Sequence, residues 1–63
     1  MNTTIIFDGQ NRPIGKLVES GNQIRAFNLK GNLLGYYDKS TDRTMNEKNA
    51  LFSRGNRVTA LIR

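Results

Sequence analysis

The chain has 63 residues, and ten Lys or Arg against five Asp or Glu give it a formal net charge of +5. It contains neither cysteine nor histidine, so disulfides, thiolate metal sites and the commonest general base of enzymes are excluded. A chain of this size forms one small domain, residues 1–63, that buries only about 60% of its unfolded surface. We therefore expect a homo-oligomer that completes the fold.

Apolar runs along the chain are short. None approaches the roughly 18 residues that a membrane-spanning helix needs, and the N-terminus lacks the charged and apolar regions of a secretory signal. The composition therefore predicts a soluble, cytoplasmic protein with no membrane partner.

The first predicted element is a β-hairpin whose first strand runs from about Thr3 to Phe7. Turn-forming residues follow at positions 8–11, and Pro13 comes next. Proline cannot donate a ladder hydrogen bond, so it belongs at a strand start or on an edge strand. This hairpin is expected at an outer edge of the sheet, and a second turn at positions 19–22 joins it to the next hairpin.

The strongest local pattern is the hairpin from Ile24 to Tyr37. Aliphatic and aromatic residues flank a turn centred on Gly31, where the left-handed backbone of a tight reversal suits glycine. Gly35 interrupts the second strand, and a glycine there indicates a bulge or the close approach of another group.

The longest polar stretch runs from Asp38 to Asn49. Its acidic and basic residues nearly cancel, which favours a solvated loop over residues 39–49. Thr44 and Glu47 also match a capping box ahead of residues 48–52, which favours a short helix there. The sequence leaves both possibilities open.

The two hairpins align as copies of one unit, and a third copy is predicted at residues 50–61. In this alignment Leu51 takes the place of Phe7 and Phe27, and Gly55 takes the place of Gly31. The alternative is three unrelated hairpins that share only their turn chemistry. The repeat predicts an all-β fold of three antiparallel β-hairpin repeats.

The repeated unit resembles that of the 4-fold β-flower domain proteins of bacteria. Ile6-Phe7-Asp8 with Ile14-Gly15-Lys16-Leu17, and Ala26-Phe27-Asn28 with Gly31 and Leu34-Gly35-Tyr36-Tyr37, carry the likeness. The third copy departs from it at Ser53 and Thr59. The resemblance implies an all-β assembly of hairpins and supplies no activity or site residues.

Catalytic and cofactor signatures are not found. The six glycines do not form a phosphate-binding or dinucleotide fingerprint, and turns explain them all. The acidic residues are scattered among basic neighbours, which disfavours a metal site. We expect no enzyme activity, no cofactor and no metal.

Basic residues recur at the turns of the aligned copies. We expect them to form one basic rim that contacts phosphate groups, with Arg25 as a flanking cation and Tyr36 or Tyr37 as a stacking surface. The predicted rim consists of Arg12, Lys30, Arg54 and Arg57. The alternative is that these charges only keep the protein soluble.

Two functions follow from these features. The first is a basic binding module for nucleic acid or a nucleotide. The second is a structural or protein-interaction role in which sheet edges and an apolar face join other chains.

Overall fold

The computed structural model describes residues 2–62 as one six-stranded antiparallel sheet followed by a short 3₁₀ helix. The strands lie in the sheet in chain order, so each is hydrogen-bonded to its sequence neighbours. They are β1 (Asn2–Phe7), β2 (Pro13–Ser20), β3 (Gln23–Asn28), β4 (Leu33–Asp38), β5 (Arg43–Asn46) and β6 (Leu51–Arg54), and the 3₁₀ helix spans Val58–Leu61. The predicted all-β hairpin architecture is confirmed. Within the described residues, no helix is long and apolar enough to cross a membrane.

The turns after β1, β3 and β5 share one construction. In each, a side-chain oxygen at the strand end accepts the backbone N–H groups two and four residues further on, at 2.8–3.0 Å. Three residues after this acceptor the backbone turns left-handed, with φ between 63° and 86°. The acceptors are Asp8, Asn28 and Asn46, and the left-handed residues are Asn11, Gly31 and Asn49. Short Asx side chains favour this geometry because they hydrogen-bond to their own turn.

Each of these turns is followed by a β-bulge. The register shifts by one residue in all three hairpins, so that Ile14, Leu34 and Phe52 have no direct partner across the ladder. The bulge lets Ile14 and Leu34 pack against the buried core. Phe52, on the edge strand β6, stays 44% exposed.

The third repeat lies earlier in the chain than predicted. Residues 43–46 form β5, so the prediction of a loop or a short helix over 39–49 is wrong for this part. Met45, not Leu51, matches Phe27, and residues 58–61 form the 3₁₀ helix instead of a strand. The reason is turn chemistry: Asn46 closes a turn with no glycine, and its side chain holds N–H groups that a helix would need.

The core lies between one face of the sheet and the C-terminal segment. Ala26, Val58 and Ile62 are buried, and partly buried aliphatic residues surround them. Two strand glycines make room for this segment. A Cβ on Gly15 would lie 2.8 Å from Ile62 Cγ2, and one on Gly35 would lie 2.7 Å from Leu61 Cδ1. The close approach predicted for Gly35 is confirmed.

Thr44 anchors the chain between β6 and the 3₁₀ helix. Its side chain is fully buried, and its hydroxyl donates to the Gly55 carbonyl at 2.7 Å. The same oxygen accepts the Arg57 backbone N–H at 3.0 Å. Gly55 itself has φ 76°, as expected for a glycine that needs the left-handed region. These two hydrogen bonds hold residues 55–57, which connect β6 to the 3₁₀ helix, against β5.

Candidate anion-binding surface

The sheet has one covered face and one open face. Residues directly opposite each other on neighbouring strands point to the same side, and successive residues of a strand alternate. The row through Leu17, Ala26 and Gly35 lies under the 3₁₀ helix. The alternate rows form the opposite side, here called the open face. Its three rows are Ile5, Lys16, Phe27 and Leu33; Thr3, Val18, Arg25, Tyr36, Met45 and Leu51; and Ser20, Gln23, Asp38, Arg43 and Arg54.

Two aromatic residues lie beside two cations near the centre of the open face. Lys16 is directly opposite Phe27, with its Nζ 5.6 Å from the centroid of the ring. Arg25 is directly opposite Tyr36. The Tyr36 hydroxyl donates to Asn49 Oδ1 at 2.5 Å, which fixes the position of the ring end. Phe27 and Tyr36 are half-buried, so part of each ring is accessible to solvent.

A second pair of cations lies at one end of the open face. Arg43 and Arg54 are directly opposite each other on β5 and β6, and both are exposed. Like charges in this position destabilise a sheet. Neither guanidinium has an ion-pair partner among residues 2–62. Asp38 lies directly opposite Arg43 on the other side, and it accepts hydrogen bonds from the Ser40 hydroxyl and N–H at 2.6 and 2.9 Å, which lower its pKa.

Three other carboxylates, Asp8, Glu19 and Asp42, have partners away from the open face. Asp8 accepts the backbone N–H of Arg12 at 3.0 Å, which lowers its pKa, and also pairs with the Arg12 guanidinium at 3.2 Å. Glu19 forms an ion pair with Lys39. Asp42 accepts the Tyr37 hydroxyl at 2.6 Å, and this bond raises the pKa of Tyr37. The three rows of the open face therefore hold four cations, Lys16, Arg25, Arg43 and Arg54, against one carboxylate, Asp38.

The four predicted rim residues do not lie on one rim. In an up-and-down sheet the turns after β1, β3 and β5 share one end, which holds Arg12 and Lys30. Arg54 and Arg57 lie at the end of β6 and just beyond it, at the opposite end. The prediction of a single rim is wrong because the third repeat was assigned one turn too late. Its true turn contributes Lys48, which occupies the place of Lys30.

The residues predicted to flank the rim, Arg25, Tyr36 and Tyr37, lie on two different faces of the sheet. The structure brings Arg25 and Tyr36 together on the open face, with Arg54 in the adjacent row. Tyr37 belongs to the covered face, where it packs against the core.

Sequence reasoning missed three members of this surface, Lys16, Phe27 and Arg43. The alternation along β3 was the available signal for one of them, because Phe27 is two residues from Arg25 and therefore shares its face. Placing Lys16 and Arg43 requires the strand register, which the sequence does not state.

Comparison with protein-family models, curated proteins and solved structures found no match to this chain. The resemblance to the 4-fold β-flower repeat accordingly stays a prediction.

Proposed function

We propose that this protein is a non-enzymatic binding module that holds an anionic partner against its open face. The observation that carries the proposal is an imbalance of charge. Four cations lie on this face without an ion-pair partner among the described residues, and only one carboxylate, Asp38 opposite Arg43, lies in the same rows. The four cations are Lys16, Arg25, Arg43 and Arg54.

The arginine pair gives the strongest support within this set. A β-sheet gains nothing from placing Arg43 opposite Arg54, since their mutual repulsion opposes pairing of β5 with β6. A phosphate or carboxylate bound between the two guanidinium groups would attract both, and these attractions would outweigh the repulsion between the two arginines. Arginine suits such a ligand because its planar fork donates two parallel hydrogen bonds to an oxyanion.

The test compares two double variants that change the net charge equally. Arg43→Glu with Arg54→Glu changes the open face, whereas Lys30→Glu with Lys48→Glu changes the turn end of the sheet. Binding of a labelled oligonucleotide and of inorganic polyphosphate is measured at low and at raised salt. We expect the first variant to lose binding and the second to retain most of it, and wild-type binding should weaken as salt rises.

Two outcomes would overturn this proposal. One is a wild-type protein that binds no polyanion at low salt. The other is equal loss in both variants, which would assign the effect to net charge or to the turn end instead of the open face.

A second candidate function is assembly, which the edge strand β1 favours. This strand carries no charged residue and no proline, and Ile5 and Phe7 on it are 48% and 51% exposed. Such an edge is a ready template for pairing with another strand. Homo-oligomer formation through this edge, like a cytoplasmic location, stays a prediction. Sedimentation at micromolar concentration tests the first of these directly.

A further inference from the structure

We infer that the anionic partner is a single-stranded nucleic acid whose bases stack on Phe27 and Tyr36 while its phosphates contact the neighbouring cations. This inference rests on the proposed function and specifies its ligand. It is drawn from the alternation of aromatic, aliphatic and cationic side chains across the open face.

Apolar surface and positive charge are interleaved on this face. Lys16 lies in one row with Ile5 and Leu33, which are 48% and 41% exposed. A simple phosphate or polyphosphate would pair with the cations but would leave the exposed aliphatic and aromatic side chains of this face in contact with water. A duplex would do the same, because its base faces are hidden in the stack. A single strand offers both planar apolar faces and phosphates.

The spacing of the two rings fits successive bases. Phe27 lies two residues along β3 from Arg25, which faces Tyr36 on β4. Phe27 and Tyr36 are therefore diagonal neighbours, and the backbone positions of diagonal residues in a sheet are about 7–8 Å apart, within reach of aromatic side chains. That separation is of the order of one step along an extended nucleic-acid strand. Arg25 lies opposite Tyr36, and its guanidinium donates to Gln23 Oε1 at 3.2 and 3.3 Å. Gln23 is neutral, so the charge of Arg25 stays available to the phosphate that joins the two nucleotides.

The Tyr36 ring is held in place before a ligand arrives, and the Phe27 ring is covered by a cation that a base can displace. The bond from the Tyr36 hydroxyl to Asn49 restrains one ring. Lys16 lies over the other ring, at 5.6 Å from its centroid. The long, flexible Lys16 side chain can leave the ring when a base replaces it and then pair with a phosphate. The bond from Tyr36 to Asn49 restrains that side chain in the free protein, so less side-chain entropy is lost when a base stacks on it.

The experiment uses the full chain and four labelled or competing probes. These are an oligothymidylate, an abasic oligomer with the same number of phosphates, a blunt duplex and inorganic polyphosphate. Fluorescence anisotropy at low salt gives the dissociation constants. We expect oligothymidylate to bind at least tenfold more tightly than the abasic oligomer, in line with about 1–3 kcal/mol for each stacked base, where about 1.4 kcal/mol is tenfold.

Matched variants identify the rings. Phe27→Leu and Tyr36→Leu keep an apolar side chain but remove the aromatic face, so each should weaken oligothymidylate roughly five- to hundredfold and leave the abasic oligomer unchanged. Tyr36→Phe keeps the ring and loses only the bond to Asn49, so it should retain most of the binding. Circular dichroism checks that each variant is folded. The comparison of the four probes on the wild-type protein tests the inference even if a variant fails to fold.

The failures are distinguishable. Equal binding of oligothymidylate and the abasic oligomer would overturn the stacking inference and leave the anion-binding face in place. Tighter binding of the duplex would overturn it as well. If the leucine variants changed self-association in sedimentation but not oligonucleotide binding, the face would be an interface between copies. Absence of binding to all four probes would overturn the proposed function itself.

Discussion

The hydroxyl of Thr44 is the most informative single group to remove. Thr44→Val keeps the branched shape and the methyl group of the side chain, and valine is at least as favourable as threonine in a strand. The change deletes only the donor to the Gly55 carbonyl and the acceptor for the Arg57 N–H. We expect the variant to be markedly less stable than the wild type although its volume is nearly unchanged.

The size of the effect follows from these two bonds. A buried polar group left without a partner costs about 1–3 kcal/mol. Both backbone groups are only part-buried, and the lower end of that range for each gives a loss of about 2 kcal/mol. For a domain of this size each kcal/mol lowers the melting temperature by roughly 4–8 °C, so the expected fall is roughly 8–16 °C.

Thr44→Ser is the matched control, because it keeps the hydroxyl and removes the methyl group. It should cost about 1 kcal/mol, the value of one buried methyl group. Thermal and urea unfolding followed by circular dichroism give both numbers. If Thr44→Val proved as stable as the wild type and Thr44→Ser less stable, packing rather than the hydrogen bonds would hold the C-terminal segment, and our reasoning would be wrong.

Four further predictions test other parts of the structure. Gly35→Val should destabilise more than the usual glycine substitution, because its side chain would meet the Met45 carbonyl and Leu61; an unchanged melting temperature would refute the close approach. Asn28→Ala should cost about 1 kcal/mol, as loss of a capping side chain does, whereas Asn28→Asp keeps the acceptor and should cost less. Asp42→Asn should lower the pKa of Tyr37 toward its ordinary value of 10.0, which alkaline titration of tyrosinate absorbance measures. Because the folded-state pKa of Tyr37 is raised, its contribution to stability is present below 10.0 and is lost as pH rises through the folded value. Ile5→Lys should abolish any oligomer seen by sedimentation, and an unchanged oligomer would exclude pairing through β1.

The first two hairpins were predictable from the sequence because their signals are local. Phe7 and Phe27 each stand one residue before an Asx turn, and a strand glycine follows seven residues after that turn begins. Both features act within a dozen residues, and no distant contact competes with them. The third hairpin has Asn49 at the left-handed position, as the first has Asn11, but it has Ser53 where the other two have the strand glycine. The sequence pattern therefore placed the third turn at Gly55.

The error in the site followed from that error in the fold. Each strand of an up-and-down sheet carries the chain to the opposite end, so a miscount by one strand moves every later turn to the wrong end. For this reason Arg54 and Arg57 were predicted at the end of the sheet that holds Arg12 and Lys30, and Lys48, which does lie at that end, was not predicted there. The role of Thr44 was beyond prediction, because its two partners, Gly55 and Arg57, lie 11 and 13 residues away, in what the sequence predicts as the turn of a separate hairpin.

The two faces of the sheet differ in how far packing explains their residues. The covered face takes small side chains, Gly15, Ala26, Gly35 and Thr44, because the C-terminal segment lies directly on them. Packing therefore accounts for that face. On the open face packing does not account for the facing guanidinium groups of β5 and β6, which oppose strand pairing. It also does not account for two aromatic rings beside cations that have no carboxylate partner among residues 2–62. Side chains that the fold does not require, and partly resists, are those for which a ligand is the simplest physical reason. The open face is for this reason a better candidate site than the turns, where Asx chemistry alone explains most of what is seen.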